Sequence, residues 1–427
     1  MHRQDEKQRF TLREKKTLGG GNTTIMTGLT GNEIYCLNKK GLDPGNLVIG
    51  NSVFSLGFIG SIASSIKTLT GGEVEAVTKV IHDGRQQSFL RMMEEARSHS
   101  GRGITGVSSE LVFHGSNVEF LSIGSTVHDE QGDPPPGTEP FSTSANGQEL
   151  YCQLDCGFSP IKFVFGNVAY SIGVGGGIMG SLRSLARGEV IEYSNALNTT
   201  RHMALKRIQD EAKAAGANAV LGIQTSISPI SAMQEMVMIG TASHHPGLPA
   251  EFSETPITSA LSTEEMWNLI DMGYCPIKLV LAVSVFSVGF LGGVSALLKS
   301  FVRGEISELT QLIYHAREKA LNKVKEDAER AGADDVVGVK TYVYDLGGGV
   351  IELLAIGTAI KKMPEMKTNS PALIPQAIIK DVSSFTNSVE SATSVNLNEP
   401  AKDVKNPIIV VVFIAIYMLS IIFGHGH

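Results

Sequence analysis

The chain has few cysteines and no excess of basic charge, and both scarcities narrow the range of functions. Four cysteines among 427 residues favour free thiols in a reducing compartment over a disulfide framework. Lys and Arg total 36 against 43 acidic residues, a net charge of -7, and no basic stretch interleaved with aromatics occurs. Nucleic acid is therefore not expected as a partner. The charged N-terminus lacks the apolar core of a secretory signal, so a cytosolic setting is expected.

The most informative feature present is an internal repeat, because self-similarity at a fixed period indicates repeated domains. The segment GLDPGNLVIGNSVFSLGFIG at Gly41 has counterparts at Gly157 and Gly273, at two steps of 116 residues. One residue is inserted in the third copy between Asp345 and Gly349, where a hairpin turn tolerates it. After a disordered charged segment at 1–22, the sequence predicts three modules: 23–130, 139–246 and 255–362.

Each module is predicted to fold in the order strand, helix, strand, strand, most clearly in the third copy. Leu279 to Val288 is almost continuously apolar, which is typical of a strand covered on both faces. A Gly-rich corner and a short helix at Val294 to Phe301 follow. From Glu305 to about Ala331, apolar residues recur at steps of three and four and predict one long amphipathic helix. Strands at Asp335 to Tyr344 and Val350 to Ile360 complete an α+β module.

One apolar stretch inside the third module resembles a membrane span in length. The 20 residues from Leu279 to Leu298 carry no charge. Their counterparts, however, hold Asn51 and Asn167 in mid-strand, and several glycines where the strand turns towards a helix. We therefore expect a buried strand and a helix there, and not a membrane span.

The C-terminal apolar stretch has no counterpart in the modules. Ile408 to Phe423 contains neither glycine nor charge, and with its flanks it reaches about 27 Å as a helix, close to a thin hydrocarbon layer. We predict a single transmembrane helix at 407–424, a tail anchor, with a core helix or oligomerisation strand as the alternative. A flexible polar linker at 363–406, with an apolar patch at Ala372 to Ile379, precedes it. Lysines before the helix place the modules in the cytoplasm by the positive-inside rule.

The modules resemble the YbjQ-like domain, a family also labelled heavy-metal-binding. The matching features are the apolar strand, the Gly-rich corner, the Gly-Glu step, the helix ending AGANAVLGI or AGADDVVGV, and the closing MIGTA or AIGTA. They cover most of Gly41 to His128, Gly157 to Ser243 and Gly273 to Lys361, although the first copy lacks the AGA element. The resemblance implies a fold similar to the dodecin subunit, assembled into rings, commonly pentamers. With three modules per chain, a ring holds either one module of each chain in stacked layers or several in one layer.

The family label suggests metal, for which cysteines and histidines are the candidate ligands. Cys152 and Cys156 form a C-x3-C pair, and Cys36 is the counterpart of Cys152, but the third copy has Asn268 there. Cys275 has no counterpart among the other copies. The histidines considered do not recur either: His82, His202, His425 and His427. Because a site common to the modules would repeat its ligands, no metal site is predicted, and any cofactor is unknown.

Besides glycine, proline and serine, one glutamate recurs at the start of the long helix: Glu73, Glu189 and Glu305. Its carboxylate is expected to complement the helix dipole and the unpaired N–H groups. The alternative is a contact between subunits with basic residues that also recur: Lys67, Arg183 and Lys299. The glycines at Gly173 to Gly177 lack a phosphate-binding signature, so close packing explains them more simply.

No catalytic residue is predicted, and the chain is not expected to be an enzyme. Ser55, Ser171 and Ser287 recur, but no histidine recurs as their base. The shared packing residues favour a membrane-anchored homo-oligomeric scaffold or binding protein, a ring or cage with the bilayer and a further protein as partners. The alternative is a heavy-metal or small-ligand sensor at the membrane.

Overall fold

A computed structural model describes residues 15–16, 22–55, 57, 72–132, 135, 137–171, 188–230, 233–287, 307–347 and 350–379. All of them belong to one compact unit, Met1–Thr393. Within the N-terminal segment predicted to be disordered, two short strands pair: β1 (Lys15–Lys16) and β2 (Asn22–Thr23).

Each of the three modules contains a short helix, a long strand, a long helix and two further strands, in that order. The first contains α1 (Gly31–Asn38), β3 (Leu42–Ser55), β4 (Gly72–Glu73), α2 (Glu75–Ser98), β5 (Gly103–His114) and β6 (Asn117–Asp129). The second contains β7 (Phe141–Ser142), α3 (Gly147–Asp155), β8 (Ser159–Ser171), β9 (Gly188–Glu189), α4 (Ile191–Ala214), β10 (Ala219–Ile230) and β11 (Met233–His244). The third contains α5 (Glu251–Glu254), β12 (Ile257–Thr258), α6 (Thr263–Asp271), β13 (Tyr274–Ser287), α7 (Ser307–Arg330), β14 (Asp335–Gly347) and β15 (Val350–Lys362). A last turn of helix, α8, spans Pro375–Ile378.

The predicted order of the main elements is confirmed, and their bounds in the third module agree within a few residues. The strand that was distinguished from a membrane span is β13, whose residues are almost all buried. An irregularity in the β14–β15 pairing lies between Asp345 and Gly347, where the insertion was predicted. The short helix predicted at Val294 to Phe301 lies outside the described residues.

A helix at the start of each module was not predicted. Each of these helices, α1, α3 and α6, begins with a reciprocal capping box, in which the N-cap side chain and a glutamate three residues later satisfy each other's backbone N–H groups. The pairs are Thr30 with Glu33, Asn146 with Glu149, and Ser262 with Glu265. The helices α1 and α3 pack together, and α3 also packs on α6.

Each module builds an antiparallel sheet that also receives strands from its neighbours. The orders among the described residues are β3-β6-β5-β7, β12-β10-β11-β8-β4 and β14-β15-β13-β9. β4 of module 1 therefore joins β8 of module 2, and β9 of module 2 joins β13 of module 3. In return, β7 of module 2 pairs with β5, and β12 of module 3 pairs with β10. Successive modules are thus joined by two strand exchanges.

The recurring glycine at Gly106, Gly222 and Gly338 forms a bulge. Gly222 has φ +62°, a left-handed conformation that favours glycine, and its counterparts have φ +64° and +61°. The pairing of β10 with β11 shifts register between Leu221 and Gln224, around this glycine. The repeated glycine is therefore explained by backbone geometry.

The predicted flexible linker at 363–406 is corrected over residues 363–379, and its remainder lies outside the described residues. Met363, Met366 and Ala377 are buried in a shared apolar cluster, so residues 363–379, the C-terminal segment, pack on the modules. The amide of Gln148 donates to the backbone oxygen of Ile379 at 2.6 Å and also to that of Gln376. Of the predicted apolar patch, Leu373, Ile374 and Ala377 pack against this cluster, whereas Ile378 and Ile379 are exposed.

No helix in the described part of the chain is long and apolar enough to cross a membrane. The transmembrane helix predicted at 407–424, with its apolar stretch Ile408 to Phe423, lies outside the described residues.

Candidate functional site

The most strongly built feature is the interface between successive modules. The long helix of one module lies on the sheet of the next, α2 against β8 and α4 against β13. At the first interface, Phe89 of α2 stacks on Phe163 of β8 with ring centroids 5.7 Å apart. His82 of the same helix lies 5.0 Å from the ring of Phe165. Both faces are apolar and closely packed.

A buried ion pair lies in the first interface. Arg85 of α2 donates from Nε to Oε1 of Glu235 at 3.1 Å and from Nη2 to Oε2 at 2.7 Å. Its Nη1 donates to the carbonyl and the hydroxyl of Ser109, each at 3.0 Å. The side chains are 3% and 0% exposed, so this bidentate contact is shielded from solvent.

The second interface repeats this pair. Arg201 of α4 binds both carboxylate oxygens of Glu352 at 2.8 and 2.9 Å, and neither side chain is exposed. Arg201 also donates to the hydroxyl of Tyr170 at 2.6 Å and lies 4.4 Å from the centre of that ring. Burial raises the pKa of the Tyr170 hydroxyl, so it stays protonated and donates in turn to Gln234 at 2.5 Å. The guanidinium is thereby fixed between two modules.

The sequence interpretation missed these residues, although they recur in register. The arginines are Arg85, Arg201 and Arg317, and the glutamates are Glu119, Glu235 and Glu352, the last offset by the one-residue insertion. A search for recurring charges of opposite sign would have found both sets. Their pairing was not visible, because Arg85 and Arg201 each bind the glutamate of the following module and not that of their own.

The recurring glutamate of the Gly-Glu step has a different role from the one predicted. Glu73 and Glu189 lie in the added strands β4 and β9, before the long helices begin, so the helix-dipole interpretation is wrong for them. Glu73 binds Arg207 of module 2 at 2.7 and 3.0 Å. Glu189 pairs with Lys319 and, at 3.7 Å, with Lys323 of module 3. The contact is between modules, while Glu305, Lys67, Arg183 and Lys299 lie outside the described residues.

At the edge of the same interface, hydroxyl groups of the long helices bind backbone N–H groups of the next module's sheet. Thr78 of α2 accepts a hydrogen bond from the backbone N–H of Ala169 at 2.9 Å. Ser194 of α4, its counterpart, accepts one from Val285 at 2.9 Å. The recurring serines Ser171 and Ser287 lie opposite glycines of the added strands. Their position at strand edges gives them a structural role in joining modules.

The cysteines lie together in one buried apolar cluster with Trp267: Cys36, Cys152, Cys156 and Cys275. Burial raises the pKa of Cys36 and Cys275 to about 12, and the charges of nearby carboxylates contribute to the same shift. The same causes raise the pKa of Cys152 and Cys156. Metal ligation requires thiolates, which this environment disfavours. Among the described residues, no group of three or more His, Cys, Asp or Glu side chains is placed to hold a metal ion. These residues do not fit the site that the family label implies.

One carboxylate joins all three modules to the C-terminal segment. Asp155 is fully buried and accepts hydrogen bonds from Lys40 at 2.6 Å, Trp267 Nε1 at 2.7 Å and Ser370 Oγ at 2.7 Å. Burial opposes ionisation, but these three donors outweigh it and lower the pKa of Asp155. Asp155 therefore holds the joint as an anion.

An acidic cleft of about 740 Å³ opens between β10, α6 and the C-terminal segment. Its charged lining consists of Glu149, Glu264, Glu265, Asp271 and Lys340. Oε2 of Glu264 is buried and accepts no hydrogen bond within the described structure. Burial is the main cause of the raised pKa of Cys36 and Cys152, and the negative charge of Glu264 raises it further. The cleft suits a small cationic or polar molecule.

The other residues singled out in the sequence are not brought into one site. His82 packs on Phe165, whereas the ring of His202 bonds to the backbone of its own helix at Asn198. Gly173 to Gly177 and the C-terminal histidines His425 and His427 lie outside the described residues. The two interfaces join the modules to one another.

Comparisons with known proteins agree with the repeat. A family model described as "Putative heavy-metal-binding" (YbjQ-like) matches residues 38–127, 159–245 and 275–363. Encapsulin nanocompartment protein Rv1762c of Mycobacterium tuberculosis is 30% identical over 218 residues, 49% of this chain and 81% of that protein. A UPF0145 protein of Methanosarcina acetivorans is 47% identical over 66 residues, 16% of this chain and 62% of its own length. UPF0145 protein TV0671 of Thermoplasma volcanium is 45% identical over 83 residues, 19% of this chain and 68% of that protein. With matches over more than half of its length, the chain belongs to the YbjQ-like family and carries the domain three times in tandem.

Proposed function

We propose that the chain is a non-enzymatic, membrane-anchored scaffold that assembles into a homo-oligomeric ring or cage. One observation carries the proposal: the same helix-on-sheet interface, with a fully buried arginine–glutamate pair, joins module 1 to module 2 and module 2 to module 3. The recurring side chains form contacts between modules, and such a contact extends naturally to modules of other copies. The likeness to an encapsulin nanocompartment protein, named for a compartment, supports an assembling role.

The oligomeric part is tested by the mass of the full chain in detergent, measured by light scattering with the detergent contribution subtracted. A scaffold gives a particle of several 45.6 kDa copies at micromolar concentration. A monomer throughout that range would overturn the proposal.

The membrane part rests on the uncharged stretch Ile408 to Phe423, with the modules on the cytoplasmic side. Flotation of the full chain with phospholipid vesicles tests it. Ile414→Arg places a charge in the middle of the stretch and is expected to reduce flotation, whereas Ile414→Leu, the matched control, leaves it unchanged. Equal flotation of both variants would contradict anchoring through this stretch.

A second candidate is a heavy-metal or small-ligand sensor, favoured by the acidic cleft and the unpartnered carboxylate oxygen of Glu264. Elemental analysis of the purified chain tests its metal version. Bound metal that disappears in Cys152→Ser/Cys156→Ser or in Glu264→Gln would support sensing. Equal metal content in the wild type and these variants would remove it.

A further inference from the structure

The sheet of module 1 exposes the face that the other two modules cover. Ile49 and Val53 of β3 are 48% and 57% exposed. Their counterparts in β8, Phe165 and Ala169, are 2% and 1% exposed, because α2 lies on them. In β13, covered by α4, the counterparts Leu281 and Val285 are 1% and 0% exposed. Module 1 thus presents an apolar surface shaped for a helix.

The long helix of module 3 exposes the face that α2 and α4 bury. Leu321 of α7 is 39% exposed, whereas its counterparts Phe89 and Leu205 are 3% and 6% exposed. Arg317 is also exposed, in contrast to the buried arginines of the two internal interfaces. Tyr314, at the position of His82, is 58% exposed. Among the described residues, nothing therefore covers this face of α7, which is of the same kind as the faces that α2 and α4 bury.

The sheet edges show the same asymmetry. β8 and β13 each carry an added strand on their outer edge, but within the described residues β3 carries none. At the other end, β5 and β10 are covered by β7 and β12, whereas β14 is an edge among the strands that the structure describes. Val339 of β14 is accordingly 42% exposed, while its counterparts Val107 and Ile223 are 2% and 3% exposed. Open edges of this kind favour pairing with another chain.

The charges at the two ends are complementary. Glu119 of module 1 has the position of Glu235 and Glu352, but its side chain is 17% exposed. In place of an arginine it accepts hydrogen bonds from Asn51 at 2.9 Å and His114 at 2.7 Å. Asn167, the counterpart of Asn51, donates instead to the carbonyl of Thr78 in the preceding module. Asn51 therefore binds the carboxylate of Glu119, to which an arginine of an incoming module would bind in its place.

We propose that module 3 of one copy docks on module 1 of a second copy, with α7 on the exposed face of β3 and Arg317 paired with Glu119. The proposal rests on the homo-oligomeric scaffold proposed above. In this contact Tyr314 covers Ile49, as His82 covers Phe165. The hydroxyl of Thr310, the counterpart of Thr78 and Ser194, accepts a hydrogen bond from the N–H of Val53. Asn51 turns from Glu119 to the backbone of Thr310.

The contact is heterologous, because the two surfaces that meet are different. Such contacts close into rings or continue as filaments, depending on the rotation between copies. A closed ring built in this way contains a multiple of three modules. Modules of one chain then lie side by side in one layer, and not in three stacked layers.

Charge reversal tests the pair in the full chain. Arg317→Glu and Glu119→Arg place like charges in the proposed contact, and each is expected to raise the concentration needed for assembly by about 100-fold or more. The double variant Arg317→Glu/Glu119→Arg restores opposite charges and is expected to restore assembly. Arg330→Glu, the same change of charge at an exposed position of α7 whose counterparts Ser98 and Ala214 are also exposed, is the matched control and leaves assembly unchanged. Leu321→Asp provides a second disruption of the same contact.

The outcomes separate the two proposals. Loss of assembly in both single variants and in Leu321→Asp, with recovery in the double variant, supports the docking contact. Assembly of the single variants at wild-type concentrations overturns the docking contact and leaves the scaffold intact. A folded double variant that remains dissociated also overturns it. A wild-type chain that is monomeric at every concentration tested overturns the scaffold itself.

Discussion

Arg201 has no exposed surface, and its charge is balanced by Glu352 of the next module and by the hydroxyl of Tyr170. Removing two charges from water costs more than their attraction returns unless the geometry is good and further hydrogen bonds are made. The contact with Glu352 and the tyrosine satisfy Nε and Nη2 of Arg201, whereas its buried Nη1 has no hydrogen-bond partner in the described structure. A pair of this kind fixes the register of one module on the next, because a shifted helix would leave both charges buried and unpaired.

Replacing one partner of this pair is expected to destabilise the chain strongly. Arg201→Met leaves Glu352 buried without its counter-charge, so the free energy of unfolding should fall by about 3–5 kcal/mol in urea denaturation. Arg201→Met/Glu352→Leu removes both charges and should recover most of this loss.

Lys206→Met is the matched control on the same helix, since Lys206 and Asp210 form an exposed pair. It should leave the unfolding midpoint unchanged. A double variant that is no more stable than Arg201→Met would contradict the account of the buried pair.

The four thiols should resist alkylation in the folded chain. Burial raises the pKa of Cys36 and Cys275 to about 12, so the reactive thiolate is scarce at pH 8. Iodoacetamide labelling followed by mass spectrometry should give unmodified folded protein and four labelled cysteines after denaturation. Rapid labelling of Cys152 and Cys156 in the folded chain would show an accessible pair and favour the sensor function.

The recurrence of a residue in all three modules did not by itself reveal the structural role of that residue. The recurrence of Gly222 and its counterparts was visible in the sequence, but the reason for it, their positive φ, was not. Glu73 was placed at a helix start, yet it lies in an added strand and binds Arg207. The added strand β4 ends two residues before α2 begins. The spacing of residues alone therefore did not show whether Glu73 belongs to the strand or to the helix.

At the scale of elements, periodicity predicted the long strands and helices well. Continuous apolar runs marked β13 and its counterparts, and the steps of three and four marked α7. The helices α1, α3 and α6 are shorter, and their capping boxes were the available signal. The C-terminal segment was interpreted as flexible because its composition is polar. Met363, Met366 and Ala377 are buried in it because the modules together form the surface that covers them.

The attachment of the C-terminal segment is expected to depend on Asp155. Asp155→Asn removes the charge that Lys40 and Ser370 share, so amide hydrogen exchange in 364–379 should become faster. Asp210→Asn, an exposed carboxylate on α4, is the control and should change nothing there.

The same joint should respond to pH. The pKa of Asp155 is lowered in the folded chain, so its stabilisation is present above the ordinary value of 3.8 and is lost as the pH falls through the folded pKa. Acidification of the wild type should therefore speed exchange in this segment only below pH 3.8. Identical exchange in Asp155→Asn and the wild type at neutral pH would contradict this role.

At the scale of the whole molecule, the same contact joins module 1 to module 2 and module 2 to module 3. In the described part of the chain, the sheet face of module 1 and the helix face of module 3 that could form it again are uncovered. The sequence showed three copies but not how they meet, because Arg85 and its partner are 150 residues apart. The membrane anchor and the assembly are likewise proposals about the whole molecule. An ordered scaffold at a membrane requires both.

Crosslinking between isotopically distinct copies tests the central claim most directly. The full chain with Ile49→Cys and Tyr314→Cys is prepared in light and 15N-labelled forms, mixed, allowed to exchange and treated with a short bis-maleimide. The native cysteines are buried and should be spared. In the internal interface the corresponding rings of His82 and Phe165 lie 5.0 Å apart, within reach of such a reagent. The account predicts crosslinked peptides joining position 49 of one isotope to position 314 of the other; an absence of such mixed pairs in an assembled particle would contradict it.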